Sequence, residues 1–257
     1  MAVLAALALA LAAPAGCGVP PLLAERPWSP GETLTFDLKV MGIAKAGTLQ
    51  LGVEAPILAG LQVPLRARVK NTSIFAKIRR VKGVALSWVD AATLQPQRFR
   101  DDVEQDGVRR TTDTRLDGPG PVVRMTWTSG EEKGVTEFER RQVALDTLSA
   151  IYRLRAAELR PGAEICFDLL ANRRYWRLSG RVADKVERVE SRAGAFDTVR
   201  LDARVVRADD PTQSRPLHLW FSTDPRRLLV AVVSEVDLGP VSAELALVSA
   251  PPGPGSP

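Results

Sequence analysis

The chain has 257 residues, of which 45% are hydrophobic and 25% are charged, and its formal net charge is +5. This length and composition favour a globular protein with a substantial core. The positive charge comes from 28 Arg and only 7 Lys, spread among acids. Such a bias is more typical of a GC-rich genome than of a nucleic-acid surface, so we expect no nucleic-acid partner. A single histidine excludes a zinc site built from several histidines.

The first sixteen residues are typical of an export signal. The run from Ala2 to Ala13 contains only Ala, Leu and Val, too short to span a bilayer but suited to the apolar region of a signal peptide. It is followed by Ala15-Gly16-Cys17, which is similar to the lipobox of bacterial lipoproteins, where the Cys is acylated. We therefore predict a lipoprotein-type signal peptide over residues 1–16, lipidation of Cys17 and a short tether over residues 17–29.

Alternatives for Cys17 stay open. Pro14 stands where an aliphatic residue is usual in a lipobox, which leaves cleavage by the ordinary leader peptidase open. Cys17 would then be a leftover leader residue, or would pair with Cys166 in an oxidising compartment. If Cys17 is lipidated, Cys166 is expected to be a buried, inert thiol. The predicted location is the periplasmic side of the envelope, anchored to the outer membrane because Gly18 follows Cys17, and otherwise the soluble periplasm.

The rest of the chain is dominated by alternation of apolar and polar residues, with turn residues between the runs. The segment TLTFDLKV, for example, places Leu34, Phe36, Leu38 and Val40 on one face. Many strands with one apolar face each must curl or stack to cover their faces and edges. We predict a mainly β fold, a single domain over residues 30–249 forming a large antiparallel barrel or incomplete barrel. The Pro- and Gly-rich tail, residues 250–257, is expected to be disordered.

One segment, ALDTLSAIYRLRAAELRPG, has helical spacing instead. Asp146 is a suitable N-cap, and Pro161-Gly162 would terminate the helix. We predict a central helix over about residues 146–159, packed across the barrel mouth or concave side, or acting as a lid over a ligand cavity. The residues predicted to line such a pocket are Leu148, Tyr152, Trp220 and Phe36.

Five segments in order match the pattern of a known family. They are PGETLTFDLKVMGIAKAGTLQLGV, LQPQRFRDDVEQDGVRR, DTLSAIYRLRAAELRPG, AGAFDTVRLDA and LHLWFSTDPRRLLVAV, which lie between residues 30 and 232; the resemblance as a whole covers roughly residues 28 to 247. They resemble the bacterial envelope family known as domain of unknown function 3108, although Phe36 replaces the commoner Tyr and Leu229 replaces a frequent Pro. The resemblance implies an exported, β-rich protein of Gram-negative bacteria. It implies no agreed activity and no agreed catalytic residues.

The chemically active residue types do not form a recognisable catalytic pattern. The chain has no nucleophile elbow, phosphate-binding Gly loop or dinucleotide fingerprint. His218 lies in an alternating strand, where a structural histidine is expected. The acidic group of Asp101, Asp102, Glu104 and Asp106 matches no EF-hand spacing, so a solvated hairpin end is expected rather than a Ca²⁺ site. Asp224, in Ser-Thr-Asp-Pro, fits a turn. We expect no catalytic residue, no metal and no cofactor.

Three functional hypotheses follow from these patterns. The first is a non-enzymatic envelope protein that binds an apolar or amphipathic ligand, such as a lipid or acyl chain, on its β scaffold. The second is a structural or assembly factor of the envelope that acts through protein contacts. The third is a hydrolase that uses carboxylates such as Asp101 and Asp224. We favour the first, because the chain combines much alternating apolar surface with a predicted lipid anchor.

Overall fold

The computed structural model describes residues 17–41, 44–77, 80–118, 120–236 and 239–249. The predicted signal peptide, residues 1–16, and the predicted tail, residues 250–257, lie outside these ranges. The Gly42-Ile43 pair of the first family segment also lies outside them.

The described residues form one sheet of fifteen strands. In chain order the strands are β1 (Thr33–Val40), β2 (Ala44–Val53), β3 (Gln62–Asn71), β4 (Val81–Asp90), β5 (Pro96–Gln105), β6 (Val108–Arg115), β7 (Val122–Ser129), β8 (Glu132–Glu139), β9 (Ala144–Asp146), β10 (Glu164–Ala171), β11 (Arg174–Ser191), β12 (Gly194–Arg207), β13 (Ser214–Ser222), β14 (Leu229–Val236) and β15 (Gly239–Ser249). Short 3₁₀ turns occupy Leu58–Gly60 and Phe75–Lys77, and α1 is Thr147–Arg155.

Strands that follow one another in the chain mostly lie side by side, and the sheet that they form curves around the core. We call this curved sheet the shell. The strand order runs β8-β7-β6-β5-β4-β3-β2-β1-β15-β14-β13-β12-β11-β10-β9. Neighbours are antiparallel, except β9 and β10, which are parallel. Tight turns suit this order: β5 and β6, for example, are joined by Asp106-Gly107, where φ is +52° and +83°, as a two-residue hairpin turn requires.

The two edges of the sheet, β8 and β9, do not close into a barrel. Among the described residues no backbone pairing joins them, and the chain passes from one to the other through residues 140–143. Side chains hold this part of the shell instead: Phe138 stacks on Tyr175 with ring centroids 5.3 Å apart, and the Arg173 guanidinium lies 5.6 Å from the Trp127 ring. Of the two predicted architectures, the incomplete barrel is confirmed.

Helix α1 packs at the end of the shell where β1 begins, which we call the helix end. The end where β1 finishes is called the far end. The predicted N-cap is confirmed, because the Asp146 carboxylate accepts hydrogen bonds from the N–H groups of Leu148 and Ser149 at 2.9 and 3.0 Å. The Asp146 N–H in turn donates to the Ser149 hydroxyl at 2.9 Å, which completes a capping box.

The helix ends at Arg155, about one turn earlier than predicted. Beyond it the chain pairs with the segment that precedes β1: the Leu23 N–H donates to the Ala156 carbonyl at 2.7 Å, and the Glu158 N–H donates to the Pro21 carbonyl at 3.1 Å. These bonds compete with further helical bonds. Residues 156–159 continue the apolar spacing of the helix because they pack against the rest of the protein, not because they are helical.

No helix in the described part of the chain has the length and apolar character needed to cross a bilayer.

Candidate functional site

An apolar cavity of about 340 Å³ lies at the far end of the shell, between β1, β2 and β3 on one side and β14 and β15 on the other. We call it the far-end cavity. Its apolar lining includes Leu38, Val69, Phe75, Val81, Val232 and Ala243. Phe75, in the connection between β3 and β4, adds an aromatic wall from outside the sheet.

The cavity exists because the residues opposite Leu38 on the two strands beside β1 are small. Leu38 pairs with Gly47 of β2 and with Ala243 of β15. Two positions earlier, Phe36 pairs with Leu49 and Leu245. The same alternation therefore fills the shell near Phe36 and leaves space around Leu38, because side-chain volume on the neighbouring strands differs.

Three of the polar side chains in the lining have partners within the protein. The Ser234 hydroxyl donates to the Pro216 carbonyl at 2.8 Å, the Asn71 side chain accepts from the Val81 N–H, and Lys39 forms an ion pair with Glu244 at 2.6 Å. These contacts leave mainly apolar contact for a guest molecule.

The structure places none of the four predicted pocket residues in the lining of this cavity. Phe36, Leu148 and Tyr152 are buried in the core at the helix end, with 0%, 3% and 0% of their surface exposed. Trp220 lies on the outer face of β13, where its indole N–H donates to Glu187 at 2.9 Å. Helix α1 likewise lies at the opposite end from the cavity and does not border it.

A buried ion pair at the helix end was not foreseen from the sequence. Arg155 is fully buried, and its guanidinium donates to both carboxylate oxygens of Glu32 at 2.6 and 3.1 Å. It also donates to the carbonyls of Arg226 and Arg227 at 3.1 and 3.0 Å. The only sequence signal was that these residues fall within three of the five family segments. The pair ties α1 to the start of β1 and to the turn between β13 and β14.

Two aromatic rings and a second buried acid, Asp146, also lie at the helix end. The Arg155 guanidinium lies 5.2 Å from the ring centroids of both Trp28 and Tyr152, and burial raises the pKa of the Tyr152 phenol. Asp146 is fully buried, and burial raises its pKa. Hydrogen bonds to the Asp146 carboxyl oppose that rise in pKa only in part. The Ser87 hydroxyl donates one of them, at 2.5 Å.

Cys17 and Cys166 form a disulfide, with 5.5 Å between their Cα atoms. This is one of the alternatives left open by the sequence, and it corrects the expectation that Cys166 is an unpaired thiol. The neighbouring backbone is also joined, because the Cys166 N–H donates to the Gly18 carbonyl at 3.2 Å. One sulfur cannot both form a disulfide and carry a thioether-linked lipid, so the pairing and the predicted lipidation of Cys17 describe two different forms of the chain.

The single histidine lies in a charged cluster on the outer face of β11, β12 and β13. His218 Nδ1 is 2.6 Å from Asp202, and Arg200 contacts both Asp202 and Glu187, at 2.9 and 2.8 Å. Burial would raise the pKa of the Asp202 carboxyl, but bonds from His218 and Arg200 hold it below its usual value. These side chains lie on the outside of the sheet, are about one-third exposed, and have no nucleophile among their contacts. Such an arrangement is typical of a structural ion network.

The candidate hydrolytic acids do not come together as a pair. Asp101 lies on the inner face of β5, where burial raises its pKa despite the nearby Thr112 and Arg173. Asp224 lies in the turn between β13 and β14 at the helix end and accepts from the Arg226 N–H at 2.8 Å. The predicted turn role of Asp224 is confirmed.

The acidic group around Asp101 is divided between the two faces of β5. Asp102 and Glu104 lie on the outer face, paired with Arg109 at 2.9 Å and Lys82 at 3.0 Å, whereas Asp101 faces inward. Within the described ranges no group of three His, Cys, Asp or Glu residues is arranged to hold a metal ion.

Comparisons with known proteins support the fold. A beta-barrel-like protein of domain of unknown function DUF1849 from Brucella abortus has a TM-score of 0.55 at 9% identity, covering 88% of this chain and 99% of that one. A protein with a YmcC-like fold from Bacteroides fragilis gives only 0.35, at 9% identity over 91% of this chain and 100% of that one, too low to support an argument.

Sequence comparison gives a family but no activity. No curated protein matches this chain. The family described as protein of unknown function (DUF3108) matches residues 35–246, nearly the span over which the five segments resembled it. The chain therefore belongs to the DUF3108 family.

Proposed function

We propose that the protein is a non-enzymatic protein of the cell envelope that binds one acyl chain of a lipid, or a similar amphipathic molecule, in the far-end cavity. The observation that carries this proposal is the cavity itself: about 340 Å³ of space with an almost wholly apolar lining. Small-molecule sites typically range from about 300 to 1,000 Å³, so this volume suits a single chain. Each buried methylene would contribute about 0.8 kcal/mol.

The proposal places the protein on the periplasmic side of the envelope. Two features support this: the export signal predicted over residues 1–16, and the Cys17–Cys166 disulfide, because disulfides persist mainly in oxidising compartments. Attachment to the outer membrane through lipidated Cys17 is a second form of the proposal. It requires chains in which Cys17 and Cys166 are not joined.

The experiment is a titration of the full chain with a fluorescent fatty acid. Val232→Trp on β14 adds a large side chain at a position that lines the cavity, and it should weaken binding at least tenfold, which corresponds to about 1.4 kcal/mol. The matched control is Val233→Trp, which makes the same change one residue later, on the opposite face of the strand. Its affinity should stay within about twofold of wild type.

Two results would overturn the proposal. One is no uptake of fatty acid by folded wild-type protein, together with no lipid retained in native mass spectra after purification from the envelope. The other is equal loss of binding in the Val232 and Val233 variants, which would place the ligand elsewhere.

A second candidate function is that of an envelope assembly factor acting through protein contacts. The observation that favours it is the free edge of β8, which carries exposed Val135. In vivo crosslinking from this strand would detect a constant partner.

A further inference from the structure

Strand β8 is the end strand of the sheet, and the described residues supply no strand for its outer edge. It is eight residues long, Glu132–Glu139, and keeps a regular register with β7 over its whole length. A long free edge presents unpaired N–H and C=O groups that can add another strand. Nothing in the proposed ligand binding uses this edge.

The turn before β8 determines which backbone groups are free. Gly130-Glu131 is a two-residue turn, with Ser129 paired to Glu132. The closing pair of such a hairpin is hydrogen-bonded, and bonding then alternates along an antiparallel pair. Even-numbered residues of β8 therefore bond to β7. The N–H and C=O groups of Lys133, Val135 and Glu137 point to the free edge.

The side chains of these three residues share the outer face and are exposed, Val135 by 57%. Their order is self-complementary. In an antiparallel pair related by a two-fold axis at Val135, the two valines face each other, and Lys133 faces Glu137 of the partner subunit. Opposite charges on directly opposed positions stabilise antiparallel pairs, whereas like charges destabilise them.

Glu137 can make this second contact without losing its first. Both Arg124 nitrogens, Nε and Nη2, donate to the same oxygen, Oε1, at 2.8 and 2.6 Å. Oε2 remains available for an ammonium group. Sliding the pair by two residues would oppose Val135 to Glu137 of the partner subunit and lose the central apolar contact, so the charge pattern selects one register.

We propose that two copies of this chain associate through antiparallel pairing of their β8 strands, centred on Val135. The interface is isologous, because each copy presents the same surface. Pairing extends from residue 132 to residue 138. It stops there because Glu139 would face Glu131 of the partner subunit.

The test is the mass of the full chain in solution, measured by light scattering after gel filtration over a concentration series. Wild type should approach twice the mass of one chain as the concentration rises. Val135→Pro should remain at the mass of one chain with an unchanged circular dichroism spectrum, because a proline is tolerated where the missing N–H faces away from the ladder. Its fatty-acid binding should also be unchanged.

Lys133→Glu provides a second variant that does not depend on proline. It opposes Glu to Glu137 of the partner subunit twice in each dimer, and it should weaken dimerisation at least tenfold. The matched control is Lys82→Glu, which reverses an exposed lysine on the outer face of β4, away from the free edge. This variant should dimerise like wild type. A wild-type chain that stays at the mass of one copy up to about 100 μM, or a dimer that survives both β8 variants, would overturn the proposal.

Discussion

The two ends of this shell are built from the same strands and differ in how completely they are filled. At the helix end, Leu34 and Phe36 are fully buried and the Arg155–Glu32 pair is enclosed. At the far end, inner residues of the same strands line a cavity of about 340 Å³. The difference teaches that a regular alternating pattern supplies an apolar interior, whereas the volumes on neighbouring strands decide whether that interior is solid or hollow.

The largest expected effect comes from breaking the ion pair at the helix end. Arg155→Met should lower the free energy of unfolding by about 3–5 kcal/mol, because Glu32 would be left buried without its partner. The measurement is urea unfolding followed by circular dichroism. The double variant Arg155→Met with Glu32→Gln is the control and should be less destabilised than the single variant. A loss below about 1 kcal/mol in the single variant would contradict a structural role for the pair.

The comparison of the two ends is sharpened by one substitution made at each. Leu34→Ala should cost about 2–5 kcal/mol, because it creates a hole in a filled core, whereas Leu38→Ala should cost about 1 kcal/mol, because Leu38 already borders a cavity. Both residues lie on the inner face of β1, four positions apart. Thermal and urea unfolding of the two variants would show equal losses if the ends were packed alike.

The disulfide gives the next effect in size. Cys166→Ser should reduce stability by about 2–4 kcal/mol, because the bond joins residues far apart in the chain. Removing Cys17 tests a second property. If Cys17 is lipidated in the cell, Cys17→Ser moves the protein from membrane to soluble fractions, while Cys166→Ser leaves it at the membrane. If the disulfide is the cellular form, the two variants have the same distribution and the same lowered stability.

The smallest expected effect concerns the helix cap and depends on pH. Burial raises the pKa of Asp146 above its ordinary value of 3.8, so the folded protein holds this proton more tightly than the unfolded chain. The contribution of Asp146 to stability is therefore largest below pH 3.8 and declines as the pH rises through the raised pKa. Asn is also a good N-cap, and Asp146→Asn removes this titration.

The measurement for this prediction is the stability of wild type and Asp146→Asn at pH 4 and pH 7. The difference should move in favour of the variant as the pH rises, because only wild type loses the bound proton. A difference that is constant with pH would show that Asp146 has an ordinary pKa in the folded protein.

Local patterns predicted most of the elements correctly. Alternation placed most of the strands, and Asp146 marked the start of α1, because both signals depend on residues close in sequence. The acidic group that begins at Asp101 was instead predicted as a hairpin end, and this was wrong for all but Asp106, because the other three acids lie within β5. The same signals overextended the helix to residue 159, since helical spacing and irregular burial against the segment containing Leu23 give similar apolar patterns. The outer position of Trp220 was missed for a related reason: alternation separates two faces but does not say which one faces the core when both carry aromatic residues.

The sequence by itself determined most of the secondary structure, the mainly β, barrel-like class and the family of this protein, but it left open whether the barrel closes. Tertiary structure decided the rest: the location of the cavity around Leu38, the burial of Arg155 against Glu32, and the unpaired edge at β8. The physical reason is that alternation and capping are properties of neighbouring residues. Cavity volume, ion pairing and edge exposure depend on which residues of distant strands are brought opposite one another by the register of the sheet.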